Sequence, residues 1–198
     1  MADHYYSRKP TAASDRHTIQ CELRGREFVF VTDAGVFSKE GIDFGSRLLI
    51  DTMDIALTDE VLDVGCGYGP IGLSAAALAE QGRVTMVDIN ERAVELAKEN
   101  AVRNGIGNAD IVQGDLFEAV QGRTFTKILS NPPIRAGKQV VHRIFEEAYH
   151  HLTEGGQLWI VIQKKQGAPS ALAKLESLFE NVREADKDKG YRIYCATK

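Results

Sequence analysis

An asparagine followed by two prolines carries the most specific chemistry in this sequence. Asn131-Pro132-Pro133-Ile134 directly follows the apolar run 125–130. Proline at position 132 keeps Asn131 out of the helical region, and neither proline has an N–H, so the turn presents hydrogen-bond acceptors without donors. The Asn131 side-chain oxygen and the Pro132 carbonyl would accept two N–H bonds from an exocyclic amino group. This favours a pyramidal nitrogen with a more available lone pair, so we expect chemistry at a weakly nucleophilic amine.

A glycine-rich loop is the second candidate site. The segment 65–69, Gly-Cys-Gly-Tyr-Gly, joins the apolar run 61–64 to a predicted helix. Glycines allow positive φ and let a ligand lie against the backbone, and a helix N-terminus presents free N–H groups. Asp88 ends the next predicted strand, 21 residues beyond Gly67. A carboxylate at that place can accept hydrogen bonds from both hydroxyls of a ribose, so the pattern predicts a nucleoside-containing ligand.

The glycine pattern alone also fits a nicotinamide dinucleotide. Gly67-Tyr-Gly69-Pro-Ile-Gly72 satisfies GxGxxG, and a tight turn without a ligand is the structural alternative. Asp63, just before the loop, would face a pyrophosphate unfavourably but suits a cofactor with a cationic amino-acid end. A dehydrogenase also has no evident use for Asn131-Pro132-Pro133. Both features favour the cationic cofactor.

The residues before position 59 are predicted to form an N-terminal extension. The runs 17–23 and 27–32 alternate apolar and polar residues around Arg24-Gly25-Arg26, which is typical of a β-hairpin. Ser46 is a predicted N-cap for a helix through about Ile55. We therefore divide the chain into a polar leader over 1–16 and one domain over 17–198, with the extension at 17–58 and the core at 59–198.

The core predicts an α/β fold. From residue 59, continuous apolar strands alternate with amphipathic helices, which indicates a mostly parallel sheet covered on both faces. The last two predicted strands, 181–185 and 191–197, have no helix between them. They should form an antiparallel pair at one edge of the sheet.

Composition excludes several classes of protein. The chain has 198 residues, of which 43% are apolar and 26% charged, as in ordinary globular proteins. The three cysteines are too few and too widely spaced for a disulfide framework or a CxxC metal site, and they suggest a reducing compartment. The first 16 residues contain no apolar signal region, and no window approaches the roughly 18 apolar residues of a membrane span. We expect a cytoplasmic protein with no metal.

Charge is unevenly distributed along the chain, although the formal net charge is only −4. Residues 1–134 carry 13 basic and 20 acidic side chains, whereas residues 135–198 carry 11 basic and 8 acidic ones. A polyanionic partner would therefore meet a local basic patch. The candidate contacts are Arg135, Lys138, Lys164 and Lys165, with Phe37 closing the pocket. Solvated surface charge and a core phenylalanine are the competing interpretations.

The segment 63–69, Asp-Val-Gly-Cys-Gly-Tyr-Gly, resembles the first motif of class I S-adenosylmethionine-dependent methyltransferases. More narrowly, about residues 17–198 resemble the small-domain methyltransferases related to the 16S rRNA guanine-N2 enzymes. The shared motifs are Gly35-Val-Phe37-Ser, Asp43-Phe-Gly45-Ser46, the glycine loop, Val87-Asp88-Ile-Asn90, Gly114-Asp115-Leu-Phe117 and Asn131-Pro132-Pro133. The resemblance implies a Rossmann-like fold whose seven-stranded, mostly parallel sheet has the order 3-2-1-4-5-7-6, with helices on both faces.

The resemblance also implies S-adenosyl-L-methionine as the cofactor and gives roles to the matching residues. The implied cofactor-binding residues are Asp63, Gly65, Cys66, Gly67, Tyr68 and Gly69 near methionine and ribose, Asp88 on the ribose, Ile89, Asn90, Asp115 and Leu116 around adenine, and Asn131. The implied catalytic residues are Asn131, Pro132, Pro133 and Ile134. In relatives that methylate planar amines an aromatic residue often replaces Ile134 and stacks on the target.

These features together predict an S-adenosylmethionine-dependent N-methyltransferase. The favoured reaction is direct displacement onto guanine N2 of 16S rRNA, with single-stranded or loop RNA as the easier substrate. Methylation of a protein glutamine or of adenine N6 is the alternative enzyme class, since Asn-Pro-Pro serves those nitrogens too. A non-catalytic cofactor-binding or RNA-binding module is the third interpretation. The sequence leaves both a monomer and a homodimer open.

Overall fold

The computed structural model describes residues 7–198, and the N-terminal extension begins with a two-stranded hairpin. Strands β1 (His17–Leu23) and β2 (Arg26–Thr32) pair antiparallel, so the predicted hairpin is confirmed. Phe28 and Phe30 stack with ring centroids 5.4 Å apart, and both are buried against the core. Helix α1 (Phe44–Thr52) follows the hairpin.

The core contains seven strands and four longer helices. The strands are β3 (Glu60–Val64), β4 (Arg83–Asp88), β5 (Ala109–Gln113), β6 (Phe125–Ser130), β7 (Leu152–Gln163), β8 (Asn181–Asp188) and β9 (Tyr191–Thr197). The helices are α2 (Pro70–Leu78), α3 (Glu91–Arg103), α4 (Lys138–His151) and α5 (Ala168–Leu178). Short 3₁₀ turns occupy Glu118–Val120, Ile134–Ala136 and Lys164–Gln166.

The strands form one sheet in the order β5-β4-β3-β6-β7-β9-β8. When only core strands are counted, this order is 3-2-1-4-5-7-6, so the predicted topology is confirmed. β9 runs antiparallel to both β7 and β8, while the other pairs are parallel. The order reverses between β3 and β6. In open α/β sheets a ligand crevice forms at such a point, at the carboxyl ends of the strands.

Helices cover both faces of the sheet. One apolar cluster joins the hairpin, α1, α2 and α3 to one face, and a second joins α4 and α5 to the other. Asn100 of α3 and Asn104, the C-cap of this helix, attach the hairpin to the core. The Asn100 side chain accepts a 2.7 Å hydrogen bond from Val31 N and donates to the carbonyls of Val31 and Tyr68, while Asn104 pairs with the backbone of Val29.

The structure corrects the start of the first helix and describes part of the leader. The N-cap of α1 is Asp43, whose side chain accepts a 3.0 Å hydrogen bond from Ser46 N, so the prediction of Ser46 as the cap was wrong. Within the predicted leader, residues 1–6 lie outside the described part. The backbone N–H of Asp15 and the hydroxyl of Ser14 both donate to the Asp33 carboxylate, which joins the end of the leader to the extension.

Within the described residues, no helix is long and apolar enough to cross a membrane. The same part of the chain contains no cluster of histidine, cysteine or carboxylate side chains that could hold a metal ion.

Candidate active site

A cleft opens at the carboxyl ends of β3, β4 and β6, the edge at which open α/β sheets bind their ligands. Many of the residues predicted for the site line its walls, namely Phe37, Gly65, Cys66, Gly67, Tyr68, Asp88, Ile89, Asn90, Leu116, Asn131, Pro132 and Pro133. The topology therefore brings the glycine loop and the Asn-Pro-Pro turn to one cavity.

The glycine loop presents bare backbone on its open side. Gly65 and Gly67 have φ values of +76° and +57°, and a Cβ atom on either would meet nothing within 4 Å. Gly65 N and Cys66 N both donate to the carbonyl of Val87, at 2.8 and 3.0 Å. These bonds fix the loop to the end of β4. The geometry lets a ligand contact the backbone with little steric hindrance.

Asp63 lies beneath the loop and is fully buried. Neither carboxylate oxygen makes a hydrogen bond of ordinary geometry within the described residues. Burial raises the pKa of Asp63 to about 7, and the charge of Asp88 adds to this effect, while the Gly72 N–H opposes it. A buried carboxylate without a partner is costly, and a cation near the loop would relieve that cost. These orphaned oxygens therefore fit a cofactor with a cationic group.

Asp88 borders the cleft and helps to hold the loop. Its Oδ2 accepts a 2.8 Å hydrogen bond from Gly67 N, and its Oδ1 accepts one of the same length from Asn90 N. Burial raises the pKa of Asp88 to about 6, and the backbone hydrogen bonds offset part of this increase. A carboxylate has about four acceptor positions, so two backbone bonds leave capacity for the hydroxyl groups of a ligand.

Asn131 is oriented by two residues of the N-terminal extension. Its Nδ2 donates to Ser46 Oγ at 3.0 Å and lies 3.4 Å from Asp43 Oδ2. Because Asp43 Oδ2 also accepts from Ser46 N, it is an acceptor here, so the amide nitrogen faces Asp43 and the amide oxygen faces the other way. No protein group among residues 7–198 donates to Asn131 Oδ1. The arrangement leaves this oxygen as a fixed acceptor.

Asp43 and Ser46 both line the cleft, but neither was predicted as a site residue. The segment 43–46 was noted only as a shared motif, and Ser46 was predicted only as a helix N-cap. Their function in the site depends on how α1 packs against the end of β6, which the residue pattern does not show. An aspartate at position 43 is a residue type typical of a helix N-cap, and this was the sequence signal that could have found the contact. The same Asp43 oxygen that accepts from Ser46 N also accepts from Asn131 Nδ2.

Other predicted residues occupy distinct places around the cleft. Phe37 lies at its edge with 40% of its surface exposed. Leu116 lines the wall in the left-handed region, with φ +52°, a conformation that costs energy for a branched side chain and is concentrated at functional sites. Burial raises the pKa of the Cys66 thiol and of the Tyr68 hydroxyl, so both stay protonated.

Several predicted residues lie outside the cleft walls. These are Asp63, Gly69, Asp115, Ile134, Arg135, Lys138, Lys164 and Lys165. The Asp115 carboxylate lies 3.8 Å from the guanidinium of Arg143. Ile134 and Lys138 instead line a second cavity. Of the predicted basic patch, Lys138 therefore lines the second cavity, and Arg135, Lys164 and Lys165 line neither of these two cavities.

Comparison with known proteins identifies the family of this chain. Residues 27–195 match the family described as methyltransferase small domain. The chain belongs to this family. Membership confirms the predicted enzyme class, an S-adenosylmethionine-dependent methyltransferase, and its cofactor. The fit of that cofactor to the residues present rests on the orphaned Asp63 oxygens and the open glycine loop described above.

Individual relatives span the chain to different extents. An uncharacterised protein of Bacillus subtilis, YbxB, is 56% identical over the full length of both chains. Ribosomal RNA small subunit methyltransferase C of Klebsiella pneumoniae is 34% identical over 80% of this chain. The solved T. thermophilus 16S rRNA N2 G1207 methyltransferase, in complex with AdoMet and guanosine, superposes with a TM-score of 0.81 at 25% identity and covers 96% of this chain. The chain spans about half the length of these two RNA methyltransferases, 47% and 52%.

Proposed function

We propose that this methyltransferase acts on an exocyclic amine of ribosomal RNA, and that its target is guanine N2 of the small-subunit RNA. The observation that carries the proposal is the oriented Asn131 amide, whose nitrogen is bound by Ser46 and Asp43. An exocyclic amino group needs acceptors, and Asn131 Oδ1 is an acceptor with a defined direction. The two RNA methyltransferases that resemble the chain support the choice of substrate. Ribosomal RNA as substrate also implies a cytoplasmic location.

The residues of the cleft divide into two groups with different tasks. S-adenosylmethionine supplies a methyl group activated on a sulfonium. Asp63 would balance the positive charge of the amino-acid end, and Asp88 would accept hydrogen bonds from ribose hydroxyls. Asn131 Oδ1 and the Pro132 carbonyl would accept the two N–H bonds of the target amine. Their task is orientation, since in-line transfer requires the reacting atoms about 3–3.5 Å apart.

Phe37 is the aromatic candidate for contact with the target base. Ile134, the position that carries a stacking residue in relatives, lines another cavity. Phe37 is exposed at the edge of the cleft and could cover one face of the base. Stacking of a base on an aromatic side chain is worth about 1–3 kcal/mol, enough to contribute measurably to substrate affinity.

Incubation with labelled cofactor and unmethylated 30S subunits or 16S rRNA tests the proposal. We expect N2-methylguanosine in the RNA by nucleoside mass spectrometry, with no product from Asn131→Ala, which should still bind cofactor in calorimetry. Label in protein glutamine or as N6-methyladenosine would assign the alternative substrates. Absence of any transfer with all of these substrates would refute the proposed function.

A further inference from the structure

A second cavity lies directly beyond the Asn-Pro-Pro turn. Ile134, the residue after the second proline, forms part of its wall. The cavity has an apolar floor formed by Ile134, Val141, Ile162 and Ala171. Its polar lining consists of Lys138, His142, Gln166 and Ser170. We call this space the side cavity. It is adjacent to the main cleft but is lined by α4 and α5 rather than by the glycine loop.

The rim of the side cavity is positively charged. Lys138 is exposed and forms no ion pair with a carboxylate in the part of the chain that the structure describes. Lys164 and Lys165 are also exposed, in the 3₁₀ turn that leads to Gln166. Glu146, a nearby acidic group on α4, is already paired with Lys174 at 2.5 Å. The cavity therefore combines an apolar floor with one lysine, Lys138, that pairs with no carboxylate of residues 7–198, and two further exposed lysines precede its lining residue Gln166 in sequence.

This combination matches the chemistry of one nucleotide. A base offers a flat face of low polarity, and its phosphate carries a negative charge that a lysine binds as a point charge. An acidic peptide with an aromatic side chain has similar chemistry, but the proposed function brings RNA to the neighbouring cleft, which favours a nucleotide. Because RNA bases are read in single strands where they are unstacked, the ligand is an unpaired segment.

We propose that the side cavity binds the nucleotide next to the target nucleotide in single-stranded RNA, with its base on the apolar floor and its phosphate at Lys138. The inference rests on the proposed function, since it assumes that the main cleft receives an RNA base. The turn 131–133 then separates the target base from its neighbour. Ile134 contacts the neighbour, which gives this residue a role other than stacking on the target.

Three variants test the proposal with the RNA substrate on which methylation is measured. Ser170→Trp fills the side cavity from its half-buried edge, and Lys138→Gln removes the charge. Lys98→Gln is the matched control, because Lys98 is exposed on α3, outside both cavities. Cofactor affinity and thermal unfolding verify that each variant is folded.

The variants should differ from wild type in kcat/KM for RNA and in the salt dependence of RNA affinity. Ser170→Trp should lower kcat/KM for RNA about tenfold, the effect of losing contact with roughly 55 Å² of apolar surface. Loss of one phosphate contact to a single strand lowers the slope of log affinity against log salt by about 0.7. The ratio of the RNA affinity of wild type to that of Lys138→Gln should therefore decrease about 2.6-fold between 50 and 200 mM salt. The Lys98→Gln variant should behave as wild type.

Two outcomes would overturn the proposal, and they are distinguishable. If wild type methylates RNA, and Ser170→Trp and Lys138→Gln both behave as Lys98→Gln, the side-cavity site is refuted and the proposed function remains intact. Failure of wild type to methylate any ribosomal RNA would refute the proposed function and the side-cavity site together.

Discussion

Cofactor affinity should fall about tenfold between pH 7 and pH 6, because the carboxyl groups of Asp63 and Asp88 take up protons in this range. The pKa of Asp63 is raised to about 7 and that of Asp88 to about 6. The ionised fraction of Asp63 falls from about one half to about one eleventh, a factor of about 5.5. That of Asp88 falls by a further factor of about 1.8. If both must be ionised to bind, the product of these factors gives the tenfold loss.

The variant Asp63→Asn separates the two contributions. It should bind S-adenosylmethionine more weakly than wild type at pH 7, and only the approximately twofold pH effect of Asp88 should remain. Methylthioadenosine, which lacks the ammonium and carboxylate groups of methionine, provides a ligand control. The affinity of wild type for methylthioadenosine should fall only about twofold between pH 7 and pH 6. Both ligands are measured by calorimetry at constant ionic strength.

The ligand itself does not explain the predicted loss. An α-amino group titrates with a pKa of about 7.7–8.0, so it becomes more cationic as pH falls from 7 to 6. That change would strengthen binding to Asp63, opposite to the prediction. Affinity that stays constant over this range, or a tenfold loss that persists in Asp63→Asn, would refute the assignment of Asp63 to the cationic end.

Three further predictions concern stability, orientation and substrate contact. Because the pKa of Asp63 is raised from 3.8 to about 7 in the folded state, this residue destabilises the free protein increasingly as pH rises between these two values. In denaturant unfolding, the stability of Asp63→Asn relative to wild type should therefore increase by about 2–3 kcal/mol from pH 5 to pH 8. An unchanged difference would contradict the burial effect. Ser46→Ala removes a hydrogen bond to Asn131, so single-turnover assays should show a rate about tenfold lower with unchanged cofactor affinity; a normal rate would remove Ser46 from the site. Phe37→Leu should raise KM for RNA about tenfold with little change in kcat, and an unchanged KM would exclude stacking.

The fold was predictable because its local signals agree. Apolar runs bounded by glycine and proline gave strands such as β6 (Phe125–Ser130), and Asn90 was recognisable as the cap of α3, where its side chain accepts from Arg92 N and Ala93 N. Strand β7 is the main exception, since it begins at Leu152 and continues through Gly155 and Gly156. Glycines weaken a strand pattern, but here Gly155 N donates to the carbonyl of Lys198 and Lys198 N donates to the carbonyl of Gly156, which holds this stretch extended beside the end of the chain.

The site was only partly predictable, and the missing part depends on packing. The glycine loop and Asp88 could be found because one βαβ unit places them together. The Asp115 carboxylate lies 3.8 Å from Arg143 of α4, and its place at adenine stays a prediction. The separation of Lys138 from the main cleft likewise follows from the start of α4 beyond the 3₁₀ turn Ile134–Ala136. Spacing in sequence does not encode either relation.

The N-terminal extension is best understood as part of the active site. Asp43 Oδ2 accepts from Ser46 N as the cap of α1 and also faces Asn131 Nδ2, so one carboxylate links the start of a helix to the orientation of the proposed catalytic amide. Asn100 connects β2 to the Tyr68 carbonyl in the glycine loop. Displacement of α1 would therefore leave Asn131 free to rotate, with the acceptor and donor ends of its amide exchanged. An exchanged amide would present N–H groups to an amine that itself needs acceptors, so docking of the extension is required for the proposed chemistry.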